Sequence, residues 1–593
     1  MILDSVIDPS SSASSGNRSR SIPIGLRGPN PSGLPAERGG PSSIVLTEKQ
    51  IPHFEKLCSN ILRAYGYIDG SVMGAGKTYV SCAIAQRYNL SLLVICPVTV
   101  TSVWQTVAGS YGIPVVDIIG FEKLRSTKNH QPTHGLLTRF DAPAAPGGVK
   151  TKTSFSATPY FLEWVDAGIL LVIDECQRIK NDTDQNRACK TLTAAVCDRT
   201  SPSRFGLLSG SPFDKEEHAI NVMKVMGFVR DDKMYDYNRT TKKYELTGAL
   251  RLISVCNLYE PDITETYARS RVKSATDVTH LCYQLFLQVL KPRMMSAMPS
   301  PVIDVVMQAI NGYYDMDEYE VSRLILAIRQ LKSAARYNES TGRVDLRDVN
   351  LGAITNALMA IEKSKLKILV RKARETLDAA PGKVILYLSY TSSIDYLASE
   401  LQDFAPLILH GKVVQKKRNA IIEKFRDNPD SRLMIANIKV GGVGISLHDT
   451  VGDQPRTTFL IPNYSVIDLH QAAYRTYRMG TKSEVKIYFV YGNVALKESS
   501  ILDALARKTA VLKDNLDQQV EERVLFPGDY PEWIESGVPA FGVAPQPVRR
   551  GPPRSAGGSQ PYRLRRDAKS RHPALDPLRI ISRKQHSLFD LLI

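Results

Sequence analysis

Seven short apolar runs recur along the chain, at 92–96, 169–173, 206–208, 384–388, 433–436, 458–461 and 485–490, with helical stretches between many of them. An apolar run of four to eight residues reads as a strand buried on both faces, and strands alternating with helices point to parallel sheets. The runs fall into two groups, which sets the expected organisation: a first α/β lobe over 44–214 and a second over 380–515. Between them, 215–379 reads as mainly helical, because Val321, Leu324, Ile325, Ile328 and Leu331 recur at helical spacing. The flanks differ in composition. Residues 1–43 are rich in Ser, Pro, Gly and Arg and bury little apolar surface, so they are expected to be disordered. Residues 516–593 are expected to form a basic and largely disordered extension.

Charge narrows the partners. The 593 residues carry a net +16, with 11 Lys/Arg against 3 Asp/Glu over 541–593, a net of +8 there. That balance favours an anionic partner, and the tail would add sequence-independent, salt-sensitive affinity for nucleic acid. A solvated basic tail with no dedicated role is the plainer alternative. Eight cysteines occur, none spaced C-x-x-C, so buried thiols in a reducing compartment are expected rather than a zinc site or disulfides. The start, Met1-Ile2-Leu3-Asp4-Ser5, lacks the basic and apolar regions of a secretion signal, and no apolar stretch suggests a membrane span.

Chemistry enters at Met73-Gly74-Ala75-Gly76-Lys77-Thr78, ahead of an apolar-periodic stretch at 80–85. Glycines let such a loop turn its N–H groups toward phosphate oxygens, and the following helix N-terminus adds a favourable dipole. Lys77 would then pair with the β/γ phosphates of ATP and Thr78 would hold Mg²⁺. The general pattern wants Gly where Ser71 stands, and a Gly-rich loop is often only a turn. The run 170–173 ends in Asp174-Glu175, where one carboxylate can hold Mg²⁺ and the next can orient a water. A third element, Ser209-Gly210-Ser211-Pro212, follows the 206–208 run.

Together these resemble one family. Asp174-Glu175-Cys176-Gln177-Arg178-Ile179-Lys180-Asn181 is similar to the Asp-Glu-Ala-His-Arg-Ile-Lys-Asn signature of the Swi/Snf-type ATPases within helicase superfamily 2. Residues 73–78 resemble that group's Met-Gly-Leu-Gly-Lys-Thr loop and 209–212 its Thr-Gly-Thr-Pro motif. Leu93-Val94-Ile95-Cys96-Pro97 with Trp104 resembles the motif that grips the nucleic-acid backbone, and 118–125 the next one. The resemblance implies that Pro97, Trp104, Ser209, Gly210 and Ser211 meet nucleic acid, and that Gln50 reads adenine. Gln177 stands where the family has His. It can hydrogen-bond but cannot titrate, so coupling to nucleic acid is expected to differ.

The second group carries matching elements. Residues 384–389 resemble the first strand of the second helicase lobe, and His410-Gly411 with Arg418 and Phe425 a further family stretch. Gly441-Gly442-Val443-Gly444-Ile445-Ser446-Leu447 resembles Gly-Gly-x-Gly-x-Asn-Leu. Gly441 and Gly442 are expected on a nucleic-acid phosphate and Gly444 on the nucleotide. Gln471-Ala472-Ala473-Tyr474-Arg475-Thr476-Tyr477-Arg478-Met479-Gly480 resembles the Gln-x-x-x-Arg-x-x-Arg-x-Gly motif. A helix would put Arg475 and Arg478 on one face, as arginine fingers for the γ-phosphate, with Gln471 beside them.

The resemblance spans 44–510. It implies two tandem RecA-like lobes closing on ATP and Mg²⁺, and an enzyme that hydrolyses ATP to move along nucleic acid, DNA favoured over RNA. Compact helicases of large DNA viruses share this layout, which would place the chain in a nucleus, a host cytoplasm or a virion, beside transcription or replication proteins. An RNA helicase and a catalytically inactive nucleic-acid scaffold stay open as alternatives. Oligomeric state is not legible.

Overall fold

The computed structural model describes residues 44–141, 152–230, 233–260, 272–299, 303–334, 337–338, 343–344, 350–411, 413–441, 445–494, 499–515 and 532–534. The expectations for 1–43, 541–593, Gly442 and Gly444 lie outside them.

Among the described residues the first sheet has six strands: β1 (Gly66–Asp69), β2 (Ser91–Cys96), β3 (Val115–Gly120), β4 (Ile169–Asp174), β5 (Arg204–Leu208) and β6 (Met295–Ser296). Their spatial order is β6-β1-β5-β4-β2-β3, and every pairing is parallel. The second has seven: β7 (Met307–Tyr314), β8 (Lys383–Leu388), β9 (Leu407–Leu409), β10 (Leu433–Asn437), β11 (Arg456–Leu460), β12 (Val485–Gly492) and β13 (Glu532–Ile534). They run β9-β10-β8-β11-β12-β7-β13, again all parallel. Helices cover both faces of each sheet. The central strands β4 and β8 are therefore apolar throughout, Ile-Leu-Leu-Val-Ile and Val-Ile-Leu-Tyr-Leu, apart from one charged residue at an end.

Two departures from the sequence reading concern the flanks of the lobes. The stretch 215–379 contains helices, among them Glu216–Val225, Glu318–Ala334 and Leu366–Ala379, but it also supplies β6 to the first sheet and β7 to the second. β7 reads Met-Gln-Ala-Ile-Asn-Gly-Tyr-Tyr, whose polar Gln308 and Asn311 and central glycine hide an eight-residue strand. The chain thus passes from one sheet to the other between 296 and 307. Within 516–593, β13 pairs with β7 at Asn311, Gly312 and Tyr313 and forms the sheet's edge, so that part of the extension is ordered.

One helix ties the lobes together. In Ser499–Asn515, Leu505 and Leu512 are buried in the second lobe's core, and Val511 packs against the first lobe's core. The Tyr283 hydroxyl donates to Asp514 at 3.2 Å, and the Lys291 ammonium donates to the Asp514 carbonyl at 2.6 Å. Among the described residues no helix is long and apolar enough to cross a membrane. All eight cysteines are unpaired and buried, and burial pushes the Cys96 and Cys176 thiols far up, leaving them inert.

Candidate active site

In a parallel sheet the loops that leave the C-terminal strand ends share one edge, where ligands of α/β folds bind. In the first lobe that edge gathers the loop after β1, the acids ending β4 and the serines after β5.

The phosphate-loop residues 71–76 connect β1 to the helix Lys77–Arg87, whose apolar residues Val80, Cys82, Ile84 and Ala85 are buried. Gly74 and Gly76 adopt φ of +80° and +97°. A Cβ on Gly76 would meet only the movable end of Gln50, at 2.3 Å from Nε2, so it is the left-handed backbone that requires glycine there. Gln50 lies against the loop, donating to the Ala75 carbonyl at 3.2 Å and accepting from the Thr47 N–H at 2.9 Å. The Lys77 ammonium bridges the carbonyls of Ser71 and Val72 at 2.9 and 3.2 Å. The departure at Ser71 has a structural use: its hydroxyl accepts from the Met298 N–H at 2.8 Å and pins the segment leaving β6. Beneath the loop, the Ser71 N–H donates to Asp69, whose other oxygen lies 3.1 Å from His53 Nε2, with His53 Nδ1 3.0 Å from Ser296 Oγ. Sequence reasoning missed this buried set, which carries no motif.

Asp174 and Glu175 end β4. Asp174 is half-buried, and its carboxyl is pushed up to about 6 by desolvation and the Glu175 charge, against the pull of the Trp104 N–H and Lys77. Glu175 has φ +57°, a left-handed backbone that costs about 1 kcal/mol or more in a non-glycine residue and marks functional turns. Its carboxylate oxygen Oε2 accepts from Gln177 Nε2 at 2.5 Å and from Gln471 Nε2, in the second lobe, at 3.2 Å. Gln177 Oε1 accepts from the Ser209 hydroxyl at 2.7 Å, and Ser209 Oγ accepts from the Ser211 N–H at 3.0 Å. Both ends of the Gln177 amide are thus used, one toward each motif.

Several expected nucleic-acid contacts are corrected. Trp104 is 1 % exposed, and its indole N–H donates to Asp174 Oδ2 at 3.0 Å. The signal was present: in the helix Thr101–Ser110, Trp104, Val107 and Ala108 recur at i, i+3, i+4 and form the buried face. Pro97 is buried too, while the next residue, Val98, is exposed. Ser209 and Ser211 are buried, and the Ser209 hydroxyl is held by Gln177 and the Ser211 N–H. Gly210 packs on the phosphate loop, where a Cβ would meet the Ser71 carbonyl at 3.0 Å.

In the second lobe the helix Val466–Ala473 starts at Ser465, whose hydroxyl accepts from the Asp468 N–H. It stops at Ala473, so Arg475 lies in a turn and Arg478 in irregular chain beyond it rather than on one helix face. Side chains there compete for the backbone: Thr476 Oγ1 donates to the Ala473 carbonyl, and Thr481 Oγ1 accepts from the Arg478 N–H. The two arginines consequently diverge. Arg475 is buried, donates to the Ile445 carbonyl at 3.2 Å and feels the Glu175 charge, while burial lowers its pKa. Arg478 is half-buried and turned to its own lobe, donating to Ser446 Oγ at 2.8 Å and the Tyr474 carbonyl at 3.1 Å. Gly441 ends the short helix Ile438–Gly441 after β10.

The Mg²⁺ expectation passes a chemical test. Asp174 is a desolvated carboxylate beside a second acid, a setting a cation relieves. With the Thr78 hydroxyl it offers hard oxygen donors of the type Mg²⁺ takes.

Two parallel α/β lobes, one with a phosphate loop and paired acids, the other bringing a glutamine and an arginine to the same cleft, define a helicase-type ATPase. The chain is similar to the Swi/Snf-type ATPases of helicase superfamily 2. Residues 364–480 match the helicase conserved C-terminal domain. A putative ATP-dependent RNA helicase of Acanthamoeba polyphaga mimivirus is 24 % identical over 502 residues, 81 % of this chain and 85 % of that protein. An uncharacterised ATP-dependent helicase of Mycoplasma pneumoniae is 23 % identical over 77 % of this chain, which spans 41 % of that longer protein. Among solved structures, the Sulfolobus solfataricus SWI2/SNF2 ATPase core in complex with dsDNA aligns over 82 % of this chain and 98 % of its own, at 15 % identity and a TM-score of 0.29.

Proposed function

We propose that this nucleic-acid-dependent ATPase is a translocase on DNA, driven by closure of its two lobes on ATP. The supporting observation is the 3.2 Å hydrogen bond from Gln471 to Glu175, which joins the second lobe's arginine segment to the first lobe's acid. In this reading the loop 73–78 cradles the phosphates, Lys77 neutralises them and Gln50 faces the adenine. Asp174 and Thr78 hold Mg²⁺, which supplies charge neutralisation at the phosphates. Glu175, held between Gln177 and Gln471, orients the attacking water. Arg475 supplies the positive charge for the transition state, with Arg478 beside it, so hydrolysis depends on lobe closure. Nucleic acid bound across both lobes, with Gly441 and Gly442 on a phosphate, biases that closure.

The setting proposed is transcription, replication or repair, in a virus or on chromatin. A relative named as a DNA repair protein in Arabidopsis thaliana supports DNA. The name of the mimivirus relative favours RNA, and an RNA helicase is the second reading. Purified protein assayed for ATP turnover with duplex DNA, single-stranded DNA and RNA separates the two. Glu175→Gln is expected to abolish turnover while leaving nucleic-acid binding largely intact, and undiminished ATPase in that variant overturns the proposal.

A further inference from the structure

We infer that Trp104 is a positioning residue for the metal-holding carboxylate, fixing the orientation of Asp174 from the helix Thr101–Ser110 by a single N–H donor. The inference rests on the reading of Asp174 as the Mg²⁺-holding residue.

The geometry is specific. Asp174 Oδ2 accepts from Trp104 Nε1 at 3.0 Å, and Oδ1 accepts from the Glu175 N–H at 2.9 Å. Each carboxylate oxygen thus carries one fixed donor, and the carboxylate plane is set by two elements 70 positions apart in sequence. A buried indole N–H must find a partner, and a carboxylate makes the bond charge-assisted. Groups that hydrogen-bond a metal's ligand fix its orientation, and losing one costs about 10- to 100-fold in metal affinity or activity.

Placement makes this more than a packing contact. The helix that carries Trp104 has two faces. Trp104, Val107 and Ala108 point inward, while Val103 is 47 % exposed and Val98, in the turn before the helix, is 51 % exposed. The inward face packs against the phosphate-loop helix Lys77–Arg87. Close-packed interiors transmit strain, so a load on the outward face of this segment reaches the bond between Trp104 and Asp174. The first lobe therefore has a one-bond link between its outer surface and the proposed metal carboxylate, and it does not pass through the serines after β5.

The test uses the full chain and a side chain that differs from tryptophan only at the donor. 3-Benzothienylalanine at position 104, introduced by codon suppression, keeps the bicyclic shape and replaces N–H with sulfur. Trp104→Phe is the simpler companion, and Trp164→Phe controls for loss of a tryptophan elsewhere. Mn²⁺ binding in the presence of ADP, followed by electron paramagnetic resonance, is read alongside the Mg²⁺ dependence of ATP turnover. The expected result at position 104 is about tenfold weaker Mn²⁺ binding and about tenfold higher half-saturating Mg²⁺, with kcat recovered at excess Mg²⁺. The benzothienyl protein is expected to stay folded, with Tm lowered by no more than about a few degrees. Wild-type Mn²⁺ affinity in the benzothienyl protein overturns the inference. Asp174→Asn separates the two ideas: if it loses Mn²⁺ while the benzothienyl protein does not, only the role of Trp104 falls. If Asp174→Asn also binds Mn²⁺ normally, the reading of Asp174 falls with it.

Discussion

At the C-terminal edge of the first sheet, charged and polar groups are held on several sides. Lys77 bridges two carbonyls, Asp174 takes two N–H donors, and Glu175 is gripped by two amides from different lobes. At the matching edge of the second sheet, the arginines sit beyond a helix of eight residues, each anchored mainly to backbone or hydroxyl oxygens of its own lobe. Both sheets are parallel, so the difference lies in the loops. A site that must hold phosphate benefits from a pre-set cradle. A group that must arrive when the lobes close can be held by bonds that exchange at modest cost.

The contrast between Arg475 and Arg478 offers the largest test. Arg475→Ala is expected to lower ATP turnover by about 10³-fold, while Arg478→Ala lowers it by about tenfold or less, with nucleotide binding kept in both. Steady-state ATPase with duplex DNA measures this. Equal losses break the distinction and mean that Arg478 turns inward on closure.

Acid should affect the arginine turn through His470. Burial, with Arg475 nearby, depresses its imidazole from 6.5 to about 4, and its ring lies 4.6 Å from that of Tyr474. The folded state therefore refuses a proton that the unfolded chain accepts. His470 has no effect on stability above pH 6.5. It destabilises progressively as pH falls from 6.5 to 4, by up to about 3 kcal/mol. Thermal melts of His470→Leu against the parent across that range are expected to converge toward neutral pH and diverge in acid, and parallel curves contradict the assignment.

Gln177 gives the smaller effect and bears on the first lobe. Replacing it with Leu keeps the volume but strands the Ser209 hydroxyl and frees one side of Glu175. About tenfold less stimulation by nucleic acid is expected, with basal turnover changed by about threefold or less, since one buried hydrogen bond is worth on the order of 1–3 kcal/mol. Unchanged stimulation removes Gln177 from the link between the lobes.

What the sequence revealed follows the same division. β2, β4, β8, β10, β11 and β12 were readable because a strand buried on both faces must be apolar. β7, at Gln308 and Asn311, and the three-residue strands β9 and β13 were not, because polar residues and short length remove that signal. β5 was legible only from Gly206, since its buried Arg204 satisfies the Ile61, Ser201 and Ser203 carbonyls and resembles a loop residue on paper. At the site, motif order located Lys77, Asp174, Glu175 and Gln471 on one cleft. It did not reveal that Trp104 faces inward across 70 residues to Asp174, or that the helix ends before Arg475. Both depend on which competing partner a side chain finds in the folded chain.

The proposed chemistry is hydrolysis of ATP in this cleft, with the loop 73–78 as its phosphate cradle. The most direct measurement is ATP turnover by purified parent and Lys77→Ala proteins, with and without duplex DNA. Turnover stimulated by nucleic acid is expected in the parent and none above background in Lys77→Ala, whose nucleic-acid binding persists. Turnover at the parent's rate in Lys77→Ala would contradict this chemistry.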